Sequence, residues 1–112
     1  MLKMHSKSVK LPENTHQEMC ERIVKDKYGM RGKSLWINEA ISDFLNIEGF
    51  PEFVDLAKDV TNLSHTVSFR ITDDLEKRLN QAVIITRKQY PDLDAAKSNI
   101  IRASIVQRLI RK

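Results

Sequence analysis

Six side chains in this sequence place hydroxyls and cations at a spacing of two: Ser6, Ser8 and Lys10, then Thr66, Ser68 and Arg70. Hydroxyls that both donate and accept, an ammonium and a guanidinium suit recognition of polar edges and anions. They contain no nucleophile beside a base, so bond-breaking chemistry is not indicated. In a B-DNA major groove, Arg and Lys bond the O6 and N7 acceptors of guanine, and Ser and Thr bond several bases. Two further pairs, Lys33-Ser34 and Lys97-Ser98, each open an apolar helical pattern. Free N–H groups at a helix start attract phosphate, and an adjacent lysine strengthens the attraction. Such contacts position a protein on a duplex without reading its sequence.

These residues need elements to aim them. In "TVSFRIT", Thr66 to Thr72, the apolar Val67, Phe69 and Ile71 alternate with Thr66, Ser68 and Arg70. A period of two predicts a strand with one buried and one polar face. The chain then changes abruptly to a helical period in "DDLEKRLNQAV". Even an isolated hairpin is marginal in water, so this strand requires a partner. The stretch "SKSVKLPE" supplies it. At an offset of 60, Val9 falls on Phe69, Leu11 on Ile71, Ser8 on Ser68, Lys10 on Arg70 and Pro12 on Thr72.

Each strand is predicted to enter a helix. The first runs roughly from Glu13 to Tyr28, with Met19, Ile23 and Val24 on one face, Pro12 suited to the first turn and Gly29 as the stop. The second runs roughly from Asp73 to Lys88, with Leu75, Leu79, Ala82, Val83 and Thr86 at helical spacing. Asp73 and Asp74 stand in its first turn, where the helix dipole favours negative charge. A further helix follows in each half. "KSLWINEAISDFL", Lys33 to Leu45, lies over "KSNIIRASIVQRL", Lys97 to Leu109, at an offset of 64. Trp36 then matches Ile100, Ile37 matches Ile101, Ile41 matches Ile105 and Leu45 matches Leu109, while Phe44 falls opposite Arg108. The four added residues are assigned to the loop "QYPDLDAA", and Ser34 and Ser98 are expected at N-cap positions.

The expected architecture is mainly α with a small two-stranded antiparallel β-ribbon. Two strand-helix-helix units, residues 1–46 and 66–112, form an intramolecular pseudo-dimer around one core. Residues 47–65 are an acidic connector with a turn at Gly49-Phe50-Pro51 and a short helix burying Phe53, Leu56, Ala57 and Val60. Two registers are open for the first strand. The offset of 60 turns Lys7 inward and Lys10 outward; a slip of one residue would make Lys7 the reader and retire Lys10.

This order of elements, occurring twice, resembles the ribbon-helix-helix DNA-binding superfamily, in which two such units form one intertwined domain. The single-chain tandem form and the stretch "GFPEF" are similar to the TraY family of conjugative plasmids, relaxosome accessory proteins that also regulate transfer genes. The resemblance implies double-stranded DNA as partner. Ser6, Ser8, Lys10, Thr66, Ser68 and Arg70 would contact bases, and Lys33, Ser34, Lys97 and Ser98 would contact phosphates. It further implies repression of transcription or the marking of a transfer origin for a relaxase. Because the two units differ, one molecule should read an asymmetric subsite, with further copies of itself binding side by side. The rival expectation is a helical adaptor, such as an antitoxin neutralising a toxin, whose apolar helix faces would be docking sites.

Charge agrees with a polyanionic partner. Residues 1–46 carry eight Lys/Arg against six Asp/Glu, residues 47–65 one against four, and residues 66–112 ten against five, for a net +4. The single cysteine, Cys20, excludes an internal disulfide and fits a reducing compartment. No apolar run approaches membrane-spanning length, and the opening "MLKMHSKSVK" lacks a signal-peptide apolar stretch, so a cytoplasmic protein without membrane contact is expected. His16 and Cys20 are four apart but lack further ligands at a familiar spacing, so neither a metal nor another cofactor is expected. Cys20 is expected to pack as a buried or half-buried thiol, and Trp36, Phe44, Phe50 and Phe53 as packing residues. Nothing groups into a catalytic constellation, and an enzyme is not expected.

Overall fold

The computed structural model describes residues 3–26, 28 and 32–111. Along the chain come β1 (Met4–Leu11), α1 (Glu13–Lys25), α2 (Lys33–Leu45), α3 (Phe50–Leu56), β2 (His65–Thr72), α4 (Asp73–Gln89) and α5 (Ala96–Ile110). The fold is mainly α with one two-stranded sheet in which β1 and β2 pair antiparallel. Ser8 lies opposite Ser68, Val9 opposite Val67 and Lys7 opposite Phe69. Opposed residues share a face. Val9, Leu11, Val67, Phe69 and Ile71 thus form one apolar surface, none of them more than 3% exposed. Burying a side chain of this size contributes about 1.5–3 kcal/mol, a gain that a ribbon without helices behind it could not collect.

Both strands of a two-stranded sheet are edges with unpaired backbone groups. Helices cover them. From α2, Ser34 Oγ accepts from the Arg70 N–H at 2.9 Å, the Asn38 amide donates to the Arg70 carbonyl at 2.6 Å, and Asn38 Oδ1 accepts from the Thr72 N–H at 3.2 Å. From α5, Arg102 Nε donates to the Lys10 carbonyl at 2.9 Å while Asn99 Oδ1 steadies its guanidinium at 2.7 Å. Behind the ribbon, Trp36, Ile37, Ile41 and Phe44 of α2 meet Ile100, Ile101 and Ile105 of α5, flanked by Met19 and Ile23 of α1 and Leu79 of α4. Arg22 donates to the Leu109 carbonyl at 2.9 Å, and Arg78 to Ser42 Oγ and Asn46 Oδ1, both at 3.0 Å. Each cation thereby sits at the C-terminal end of α5 or α2, where the helix dipole favours positive charge.

Several expectations change. α1 stops at Lys25 rather than Tyr28, and the expected Gly29 stop lies outside the described residues. Val24 is 71% exposed, because one residue past Ile23 it has turned by about 100° off the buried stripe. α4 has 17 residues against 13 for α1. The four added residues therefore lengthen a helix by about a turn instead of swelling the loop that follows. Pro12 is the extended N-cap of α1 and not part of its first turn, and Thr72 caps α4 by accepting the Leu75 N–H. In the connector, Gly49 adopts the left-handed conformation (φ 76°) at the start of α3. α3 buries Pro51 and Val54, three apart on one face, and leaves the expected Leu56 74% exposed. Phe53 is likewise exposed rather than packed. Cys20, expected to be at least half-buried, is exposed, since the adjacent Met19 takes the core-facing position. Gly32 is required by crowding: a Cβ there would overlap the backbone and side chain of Tyr28. Among the described residues, no helix is long and apolar enough to cross a membrane.

Candidate nucleic-acid interface

With its apolar side spent on the core, the ribbon presents the other side to solvent. Ser6 stands opposite Arg70, Ser8 opposite Ser68 and Lys10 opposite Thr66, and all six are exposed. The structure thus brings every expected base-contacting residue onto one face. The two cations stand at opposite ends, separated by the central pair of serines. A major groove about 12 Å wide admits a two-stranded ribbon.

Of the two registers open for β1, the structure adopts the one that turns Lys10 outward. Lys7 points inward beside Phe69, where an unpaired ammonium would be costly. Its Nζ lies 2.6 Å from Glu76 Oε2 on α4. That partner raises the Lys7 pKa, and Lys7 in turn holds the Glu76 carboxyl below its ordinary value. Lys97 joins the same cluster, donating to Asn80 Oδ1 at 3.0 Å. Burial, and then the neighbouring Lys7 charge, push the Lys97 pKa down.

The two Lys-Ser pairs are placed differently from expectation. Gly32 and Ala95 are the N-caps of α2 and α5, and neither helix has a side-chain cap. Ser34 is the second residue of α2 and Ser98 the third of α5. Ser34 does not cap because its hydroxyl faces β2 and receives the Arg70 N–H. Lys33 and Ser34 line an open depression together with Ser6, Lys7, Ser8, Ser68, Phe69 and Arg70. The structure therefore joins the first pair to the ribbon's outward face. Lys97 and Ser98 do not line that depression, and Lys97 is turned to Asn80.

Sequence reasoning missed Asn38 and Arg102, the two side chains that tie off the ribbon's edges. A signal was present: each interrupts an apolar run, in "WINEAI" and "IIRASI", at matching places. Both are buried, at 8% and 6% exposure, and burial pushes the Arg102 pKa down. At the ribbon's ends, His5 bonds Asp73 at 3.0 Å, which with Lys77 holds that carboxyl below its ordinary value, and the His16 and His65 rings stack at 4.7 Å. Cys20 Sγ lies 3.6 Å from His16 Nε2. Among the described residues, no three His, Cys, Asp or Glu side chains are grouped to hold a metal ion.

Comparison with protein-family models, curated proteins and solved structures finds no match to this chain.

Proposed function

We propose that this protein is a tandem ribbon-helix-helix protein that binds double-stranded DNA sequence-specifically, with the outward face of its ribbon in the major groove. It acts as a transcriptional repressor or, in the manner of TraY-like proteins, as an accessory factor at a plasmid transfer origin, in the cytoplasm. The observation that carries this reading is the strand register. At the offset of 60 found in the sequence, Ser68 is the counterpart of Ser8, and these two residues pair with each other. Stepping outward, Lys10 meets Thr66 and Ser6 meets Arg70, so the two strands are paired as about a two-fold axis through the central serines, which is what a pseudo-dimer of two such units requires.

The second helices support the same relation. Asn38, from residues 1–46, bonds the strand of residues 66–112; Arg102, its counterpart at the offset of 64, bonds the strand of residues 1–46. Each half thus secures the other's strand, as the two chains of an intertwined dimer do. The connector, residues 47–65, joins the halves and contributes Val54 to the core. The rival adaptor reading has less apolar surface to use, because Met19, Ile23, Leu79, Ile100 and Ile105 are all buried, and it would rest on exposed residues such as Val24, Leu56, Ile84 and Ile85.

The test is binding of a labelled mixed-sequence duplex followed by fluorescence anisotropy across a salt series, with selection of bound fragments from random DNA. Neutralising several phosphates makes log K fall with log salt at a slope near −0.9 per phosphate. A steep slope and an enriched motif are expected. No binding, or binding indifferent to salt, would refute the proposal. Adjacent copies on one site, and a relaxase touching the connector, are extensions of the same reading.

A further inference from the structure

We infer that Ser34 and Asn38 are positioning residues for base recognition, which hold Arg70 as the ribbon's fixed reader and leave Lys10 as the looser one. The inference rests on the reading that the ribbon binds DNA. Both backbone polar groups of Arg70 are bonded from α2: the N–H by Ser34 Oγ at 2.9 Å and the carbonyl by the Asn38 amide at 2.6 Å. Asn38 is itself fixed, because its amide also donates to the Ser34 carbonyl at 2.6 Å and its oxygen accepts the Thr72 N–H at 3.2 Å. The Arg70 side chain stays exposed beyond these anchors. At the other end Arg102 holds the carbonyl of Lys10, and among the described residues no side-chain hydrogen bond holds its N–H, from Ser98 or any other residue.

This difference matters because of what each side chain demands. A guanidinium recognises guanine through two parallel bonds from a planar fork, so a small tilt of its backbone weakens both. A lysine ammonium is a point charge on a flexible stem and tolerates displacement. The rigid anchor lies beneath the residue that needs it. The preferred duplex therefore carries a strict guanine at the Arg70 end and a relaxed preference at the Lys10 end.

Selection from random duplexes with the full chain should return a motif constrained on one side. The quantity to follow is the ratio of affinities for the selected duplex and for the same duplex with its strict guanine pair replaced. A phosphate bond made by Ser34 would contribute equally to both duplexes, so its removal cancels in the ratio. Ser34→Ala should lower this ratio several-fold with its melting temperature near that of the parent, and Ser34→Thr, which keeps the hydroxyl, should restore it. In the exchange variant Lys10→Arg/Arg70→Lys, discrimination should fall at both ends. Discrimination that moves undiminished to the other end, or a ratio unaltered by Ser34→Ala, would overturn the inference while leaving DNA binding intact. Failure to bind any duplex would instead remove the functional reading beneath it.

Discussion

Arg108 lies with its guanidinium 5.0 Å from the centre of the Trp36 ring, setting a cation of α5 against an indole of α2. The same guanidinium donates to the Trp36 carbonyl at 3.2 Å, the Tyr28 hydroxyl at 2.9 Å and Glu39 Oε2 at 3.2 Å. Phe44, the counterpart of Arg108 in the aligned helices, is fully buried while Arg108 is half-buried, and Arg108 bridges α5 to α2. A partly desolvated cation–π contact contributes about 0.5–2 kcal/mol, and each hydrogen bond about 0.5–1.5 kcal/mol net.

Arg108→Ala should therefore destabilise the protein by about 2 kcal/mol. Arg108→Lys should recover less than half of that, since lysine can neither stack flat nor form the fork. Urea unfolding of the three proteins checks this, and equal midpoints would deny Arg108 its role.

Arg70→Ala should relax sequence preference while the fold stays intact, because the side chain is exposed and its backbone anchors remain. One good bidentate base contact is worth about 1–3 kcal/mol of discrimination. Affinities for matched and mismatched duplexes measure the loss. Unfolding of the variant, or unchanged discrimination, would show that the outward face is misassigned.

The two Lys-Ser pairs should behave unequally on DNA. Lys33→Ala should weaken binding across sequences and reduce the salt slope by about one phosphate contact. Lys97→Ala should change it little, since Lys97 is engaged with Asn80 within the cluster around Lys7 and Glu76. Equal effects from the two variants would mean that Lys97 leaves its partner on binding.

Acid should destabilise this fold through two carboxyls. Asp73, held chiefly by His5, and Glu76, held chiefly by Lys7, lie below their ordinary values of 3.8 and 4.5. A carboxyl with a lowered folded pKa adds stability that is complete above its ordinary value and is lost as pH falls through the lowered one. The melting temperature should thus hold down to about pH 5 and drop below it, and Glu76→Gln should flatten part of that drop. A profile unaltered by Glu76→Gln would contradict the pairing with Lys7.

Thr86 is fully buried on α4, and its hydroxyl has no hydrogen-bond partner among the described residues. Thr86→Val keeps the shape and removes a buried polar group that costs about 1–3 kcal/mol when unsatisfied. A gain of about 1 kcal/mol in unfolding free energy is expected. A loss would point to a partner for that hydroxyl.

Much of this was legible in the chain because it depends on local period. Alternation at Val67, Phe69 and Ile71, followed by the helical spacing of Leu75, Leu79 and Ala82, was enough to place β2 and α4. Apolar spacing was less reliable where one turn of helix had two candidate faces: Val24, Phe53 and Leu56 were expected inward and point outward. Which face is buried depends on the neighbour it meets, and composition does not reveal the neighbour. The N-cap expectation for Ser34 failed for a similar reason, since its hydroxyl met the N–H of Arg70, thirty-six positions away, rather than one in its own helix.

Side-chain period alone was sufficient to mark Thr66, Ser68 and Arg70 as the polar face of one strand, because alternation in a strand is fixed by backbone geometry. Whether Lys7 or Lys10 joined that face, which lysine kept its charge available, and which backbone groups were held rigid all depended on contacts between distant segments. Burial and hydrogen bonding act over a few ångströms in space, and only the folded chain brings Lys7 to Glu76, Asn38 to Arg70 and Arg102 to Lys10.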